Sequence, residues 1–402
     1  QFIQNTSMVK NHQTFRIYYS YNGLKNHQII RKREMNIIHI INALEIGGAE
    51  RLLVETLPEI KQMRHDLKVI LLYSSNSYFE KQLKQSGIEL IALNHKHEAY
   101  NICLIAKLHQ LIKDADVVHS HLFPSQYWAA LAHCGIKKGI LVTTEHNTSN
   151  TRAKYWLTTQ IDKCIYGLYD GIICISEATA DFMRKRTPHK AIIKVIENGV
   201  RLPSISTQKN LNIQRKDIVS GLSDTNFVLL QVARFSTQKN QDCLIRALKS
   251  LPDNIHVLFA GYGKREEVCR QLAEEEGVSE RTHFLGMRED IAQLWSIADL
   301  GVMSSHWEGF GLAAVEGMAY AKPVIASNVP GLAEVVGNKQ LLFSPNDEHE
   351  LAVKILQFYN DKKMLKHIGI RCQKQASKFD IKNMAAQYVN FYNQLLKQKK
   401  DK

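Results

Sequence analysis

From Met35 onward, short apolar runs alternate with segments of helical periodicity. NIIHII (36–41), LKVILLYS (67–74), IELIAL (88–93), DVVHSH (116–121), ILVTTEH (140–146), GIICIS (171–176) and IIKVIENG (192–199) form a first series. After a polar stretch from Leu202 to Thr225, the alternation restarts with FVLLQVA (227–233), HVLFAG (256–261), THFLG (282–286), LGVMSS (300–305), PVIAS (323–327) and QLLFS (340–344). Runs that are continuously apolar, rather than strictly alternating, fit strands buried on both faces of a parallel sheet. The pattern predicts an α/β protein of two doubly wound, Rossmann-like domains facing each other, with ligands bound at the carboxyl ends of the strands. The boundaries it suggests are 35–201 for the first domain, 202–226 for a linker and 227–382 for the second domain. Residues 383–402 read as a terminal helix crossing back to the first domain. Residues 1–34 show no sustained periodicity and hold six Lys/Arg against one acid, Glu34, so they are expected to lie outside the fold. A basic arm that touches a membrane is the alternative for that stretch.

Composition narrows the partners. The 402 residues are 45% hydrophobic and 23% charged, which excludes a disordered or low-complexity scaffold. A formal net charge of +13 favours an anionic partner: nucleic acid, acidic lipid or a phosphorylated small molecule. The lysines and arginines are spread along the chain without a nucleic-acid signature, which leaves the last two. Seven cysteines without CxxC spacing read as thiols in a reducing compartment, so the sequons at Asn5 and Asn147 carry little weight. The longest stretch free of Asp, Glu, Lys and Arg, Val117 to Ile136, contains three histidines and is too polar for a spanning helix.

Chemistry gathers at the ends of the apolar runs. Gly47-Gly48-Ala49-Glu50 leads from the first strand into a helix carrying Leu52, Leu53, Leu57 and Ile60. The glycines let backbone approach an anion at the helix start, although a tight strand-to-helix turn explains them equally well. Arg234 and Lys239 lie on the loop after the first strand of the second series, spaced to reach two phosphates or simply to be solvated. In Glu308-Gly309-Phe310-Gly311-Leu312, a carboxylate and a Gly-x-Gly turn open a helix that carries Glu316 on an apolar stretch. A buried Glu316 needs a partner, either a cation inside the protein or the hydroxyls of a ribose. Two other groupings suggest metal. His119-x-His121 lacks a carboxylate or Cys nearby to complete a ligand set. Asp114-Ala115-Asp116 sits at the amino end of a strand, away from the expected cleft, and reads as a helix-to-strand turn. The segment Cys103–Lys113 has an amphipathic, basic helix pattern, compatible with packing on its own sheet or with contact with an anionic bilayer.

Taken together, these motifs resemble the retaining glycosyltransferases of family 4, with their two-domain GT-B architecture. The likeness spans Met35 to about Gln398. It rests on Gly47–Glu50, Val118–His121, Ile175–Glu177, Asn198–Val200, Arg234 with Lys239, Gly261-Tyr262-Gly263, and the E-x7-E pattern from Glu308 to Glu316. The resemblance implies a hexosyltransferase that moves sugar from a UDP- or GDP-sugar to a glycan or lipid-linked acceptor. It places the enzyme in bacterial surface polysaccharide synthesis at the cytoplasmic face of the membrane, with no metal and no other cofactor. It assigns the diphosphate to Arg234 and Lys239, hydroxyls of the transferred sugar to Glu308 with the N–H groups of Phe310 and Gly311, and the ribose to Glu316. Gly47, Gly48, Gly261, Gly309 and Leu312 complete the donor-binding set, and His121 corresponds to an active-site histidine near the reacting sugar. A sugar phosphorylase on the same architecture, or a non-catalytic sugar-nucleotide-binding protein, remains as the alternative.

Overall fold

A computed structural model describes residues 34–45, 47–94, 98–146, 155–187, 191–203 and 213–401. The sequons at Asn5 and Asn147 and most of the stretch 1–34 fall outside these residues. All thirteen apolar runs form strands. The first sheet consists of β1 (Asn36–Ile41), β2 (Asp66–Leu71), β3 (Glu89–Ala92), β4 (Val117–His121), β5 (Ile140–Glu145), β6 (Gly171–Cys174) and β7 (Ile192–Val195), in the order β3-β2-β1-β4-β5-β6-β7. The second contains β8 (Phe227–Val232), β9 (Ile255–Ala260), β10 (Thr282–Phe284), β11 (Leu300–Met303), β12 (Val324–Ser327) and β13 (Leu342–Phe343), in the order β10-β9-β8-β11-β12-β13. Every pairing is parallel, as expected for strands covered by helices on both faces.

The strand order reverses between β1 and β4 in the first sheet and between β8 and β11 in the second. Loops diverge at such a point and leave a crevice at the carboxyl edge. The loops carrying Gly47, Lys239 and Glu308 all leave strands that flank these two reversals. Register also decides where three histidines go. His39 on β1 pairs with His119 on β4, and His121 is two residues further along, so all three project from one face of the sheet.

That face is covered by the helix Gly48–Gln62 and by the C-terminal helix Ile381–Lys400, whose Met384, Tyr388, Tyr392 and Leu395 enter the same core. The chain reaches this helix by crossing beside Val200, which exchanges backbone hydrogen bonds with Phe379 (2.8 Å) and Ile381 (3.0 Å). Asp380 caps the helix by accepting from the Lys382 N–H. Part of the polar stretch read as linker is anchored to the second sheet. Arg215 bonds Asp299 at 2.8 Å and the Ile297 carbonyl at 3.1 Å, and Leu222 joins the core beside Val228 and Leu230. Among the described residues, no helix is long and apolar enough to cross a membrane.

Candidate active site

A cavity of about 280 Å³ opens between the carboxyl edges of the two sheets. One wall carries Gly48, Ala49, His146, Ile175 and Asn198; the other carries Gln238, Lys239 and the segment from Trp307 to Ala313. Closeness across the cleft depends on glycine at position 309, where a Cβ would press against the His146 carbonyl at 3.1 Å; a Cβ on Gly48 would make only ordinary contact with Leu312, at 3.9 Å.

Lys239 and Glu308 form a half-buried ion pair in this cavity, and Ser305 Oγ donates to the same carboxylate oxygen at 3.3 Å. Two loops hold the pair. Lys239 ends a short turn whose backbone is tied to β11, because Ser304 Oγ donates to the carbonyls of Lys239 (3.1 Å) and Asn240 (2.7 Å). Glu308 precedes Gly311, whose φ of +94° at the cap of helix Leu312–Ala319 is left-handed backbone that favours glycine. The first N–H groups of that helix have no partner within it and point to where an anion would lie. Arg234, on the same loop as Lys239, is exposed; its carbonyl accepts from Gln241 at 3.1 Å, its guanidinium makes no hydrogen bond or ion pair among the described residues, and its charge acts on Glu50 across the cleft. Gly261, with φ +148°, backs this loop from behind, where a side chain would collide with the Ala233 carbonyl.

Glu316 is buried two turns into the helix that Gly311 caps. The sequence left its partner open between an internal cation and a sugar hydroxyl. Oε1 takes the cation, accepting from Arg51 at 2.8 Å, whereas Oε2 has no hydrogen-bond partner. Burial pushes the carboxyl up to about 7, with the Arg51 guanidinium opposing the rise.

The histidine on the cleft wall is His146, at the end of β5. His121, given the active-site position by resemblance, is buried behind it. It lines a separate small cavity with His39, His146 and Tyr388, and its Nε2 lies 3.0 Å from His39 Nδ1. Burial holds His121 and His119 well below the usual imidazole range and brings His146 down to about 4, so all three are neutral at pH 7. His39 is the third imidazole that the sequence did not supply for His119-x-His121; one nitrogen of each of the three lies within 4.8 Å of the others. Both nitrogens of His119 are already taken, by Tyr392 (2.7 Å) and Thr144 (2.8 Å), so the cluster is a hydrogen-bonded network inside the core. Asp116 lies at the opposite edge of the sheet, accepting from the Asn36 N–H at 3.1 Å.

Comparison with known proteins agrees with this geometry. Residues 46–202 match the model for Glycosyltransferase Family 4, and residues 212–375 match the model for Glycosyl transferases group 1. An uncharacterised glycosyltransferase of Methanocaldococcus jannaschii is 30% identical over 277 residues, covering 66% of this chain and 71% of that protein. The chain belongs to the family 4 glycosyltransferases. The UDP-Gal:α-D-GlcNAc-diphosphoundecaprenol α-1,3-galactosyltransferase of Escherichia coli is 24% identical over 82% of this chain and 89% of its own length. The crystal structure of Anabaena HepE in complex with UDP-glucose superposes with a TM-score of 0.77 at 24% identity, covering 90% of this chain and all of that one. This likeness gives the glycosyltransferase its GT-B architecture.

In this glycosyltransferase, the cavity brings together Gly48, Lys239, Glu308, Gly309, Phe310, Gly311 and Leu312. Gly47 caps the helix behind Gly48, Glu316 lies deeper, and Arg234, Gly261 and His121 are not part of the lining. Sequence reasoning missed His146 and Arg51. The signal for His146 was a histidine ending a buried strand at its carboxyl edge. For Arg51 it was a cation in the first helical turn after Gly47-Gly48.

Proposed function

We infer that this glycosyltransferase moves a hexose from a UDP- or GDP-sugar to a glycan or lipid-linked acceptor, with retention of anomeric configuration and without a metal ion. The observation that carries the reading is the convergence of Lys239, Glu308 and the start of helix Leu312–Ala319 on one cavity between the two sheets. A cation beside unpaired helix N–H groups suits a diphosphate, and Arg234 has a free guanidinium to add from the rim. Glu308, with the N–H groups of Phe310 and Gly311, suits sugar hydroxyls. The unpartnered Oε2 of Glu316 suits a ribose hydroxyl.

Cleavage of the donor C1–O bond builds oxocarbenium character on the sugar and negative charge on the diphosphate. Fixed cations and helix dipoles in an enclosed cleft stabilise that charge without reorganising. Among the described residues lining the cavity, the carboxylate is Glu308, which is held by Lys239 rather than free to attack C1. Front-face attack follows, with the departing phosphate accepting the acceptor's proton and neutral His146 positioning the sugar. Named relatives that act on diphosphoundecaprenol sugars support a lipid-linked acceptor. On this reading the enzyme works in surface polysaccharide synthesis at the cytoplasmic face of the membrane.

A screen of UDP- and GDP-sugars for nucleotide release tests the reading. Release of UDP or GDP from one donor, lost in Lys239→Ala, is expected. Phosphate-dependent cleavage of a glycan, with no release from any sugar nucleotide, would replace transfer by phosphorolysis.

A further inference from the structure

On the face of the first sheet opposite the histidine network, three consecutive helices lie side by side: Leu104–Ile112, Ser125–His133 and Trp156–Tyr166. His109 Nδ1 lies 2.8 Å from the Ala132 carbonyl, tying the first helix to the second, and the Tyr127 hydroxyl donates to Asp162, tying the second to the third. Their inner residues follow ordinary helical spacing, with Leu104, Leu108, Ile112, Ala129 and Ile165 in the core. Their outer residues depart from the rule that such surfaces are polar. Trp156 is 75% exposed, Tyr155 68% and Leu157 63%. Leu157, Ile161, Cys164 and Leu168 continue as an exposed stripe at helical spacing, and Leu111 and Leu131 add to the apolar surface on the neighbouring helices.

Charge on this layer is predominantly positive, with Asp114 at the end of the first helix as an exposed acid. The sole carboxylate in the three helices, Asp162, is buried under Tyr127, whereas Lys107 and Lys163 are exposed, as are Lys113, Lys137 and Lys138 where the helices end. Other faces differ. The helix Gly48–Gln62 carries Glu50, Glu55 and Glu59, and Glu177–Arg184 carries two acids, both bonded to Arg184. An apolar surface edged mainly by lysines, with Asp114 beside Lys113 as the exposed acid at the helix ends, would repel a second copy of itself. It complements the headgroups of an anionic bilayer, with Trp and Tyr at headgroup depth and lysines reaching phosphates.

We propose that this three-helix face docks the enzyme on an anionic lipid bilayer, with Tyr155, Trp156, Leu157 and Ile161 seated among the headgroups. The proposal rests on the lipid-linked reading of the acceptor and deepens it, because it seats the domain that carries His146 on the surface in which such an acceptor is anchored.

The test is co-sedimentation of the full chain with vesicles of equimolar phosphatidylcholine and phosphatidylglycerol, with phosphatidylcholine alone as control, following tryptophan emission. The wild type pellets with the anionic vesicles and its emission shifts to the blue. Leu157→Glu/Ile161→Glu weakens partitioning by roughly tenfold or more and abolishes the shift, and Lys107→Glu/Lys163→Glu weakens binding to the anionic vesicles. These sites are exposed, so melting temperature and donor hydrolysis in vesicle-free solution stay at wild-type values. Donor hydrolysis therefore judges the transfer reading separately from docking. Equal sedimentation of wild type and Leu157→Glu/Ile161→Glu, or no sedimentation of either, overturns the proposal. So does a wild-type dimer that the apolar substitutions split without any vesicle binding, which would assign the face to a second copy.

Discussion

Arg51 Nη2 lies 2.8 Å from Glu316 Oε1, joining the first helix of one sheet to the helix behind the Gly-x-Gly turn of the other. The guanidinium also bonds Glu55 at 2.9 Å, so it spans two carboxylates while Glu316 keeps Oε2 unpartnered. A link of this kind holds the sheets together at the place where a ribose would enter.

The first prediction concerns Glu316 and pH. Its folded pKa, about 7, lies above the 4.5 of an ordinary Glu because burial disfavours the charge. Between these values the folded protein keeps a proton that the unfolded chain has lost, so this group's contribution to stability is full below about 4.5 and falls as pH rises through 7. Glu316→Gln removes that dependence. The melting temperature of Glu316→Gln relative to wild type should therefore be higher at pH 8 than at pH 5. Parallel curves would mean that the carboxylate is not held in this way.

Arg234 and Lys239 share a loop but should separate by stability. A hydrogen bond to a charged group is worth ~1.5–3 kcal/mol, so Ala at either position should lower kcat/KM roughly 10- to 150-fold. Lys239→Ala also strips Glu308 of its cation and should lower the melting temperature. Arg234→Ala breaks no side-chain hydrogen bond or ion pair among the described residues and should leave it unchanged. Near-normal activity in both variants, measured on folded protein, would remove the diphosphate from this loop.

Much of this arrangement was legible because its parts are local. Lys239 and Glu308 each sit within a few residues of a strand end, and parallel strands that begin together deliver their following loops to one edge. Glu316 was legible for a similar reason: an acid two turns into an apolar helix start must be buried and must find a partner. That partner was not legible, since Arg51 lies far away in the chain and meets Glu316 through the packing of one sheet on the other. The histidines show the same divide. His119-x-His121 is visible as a pair, but His39 joins it through the β1–β4 register, and His146 reaches the cleft because β5 ends there.

His146 and His121 should therefore differ in kind. His146→Ala should lower kcat at least tenfold with a small change in melting temperature, because His146 lines the cavity and its buried Nε2 has no hydrogen-bond partner among the described residues. His121→Ala removes a buried ring hydrogen-bonded to His39 and should cost about 2–4 kcal/mol of stability, with kcat of the folded fraction less affected. Thermal melts beside kinetics decide it. The opposite pattern would return the active-site role to His121.

Transfer should also be indifferent to chelation. Lys239 and Arg234 supply cations where a metal-dependent transferase would use an ion, Asp114 and Asp116 stand at the far edge of the sheet, and His119 has both nitrogens engaged. Activity assayed after dialysis against EDTA should match the untreated enzyme. Loss of activity restored by Mg²⁺ or Mn²⁺ would overturn the metal-free reading.

Stereochemistry tests the mechanism most directly. If the acceptor oxygen arrives on the face that the phosphate leaves, an α-linked donor gives an α-linked product. Inversion needs a general base on the opposite face, within ~2.6–3.2 Å of the acceptor hydroxyl. Among the described residues lining the cavity, the side chains able to serve as a base are Glu308, paired with Lys239, and His146, which burial holds neutral with a pKa of about 4. A base so weak at pH 7, and a carboxylate so engaged, both favour proton transfer to the departing phosphate instead. Proton NMR of the finished glycoside, read from its anomeric coupling, should show retention. A β product from an α donor would make His146 the catalytic base, and activity should then fall as pH drops through the imidazole's own pKa.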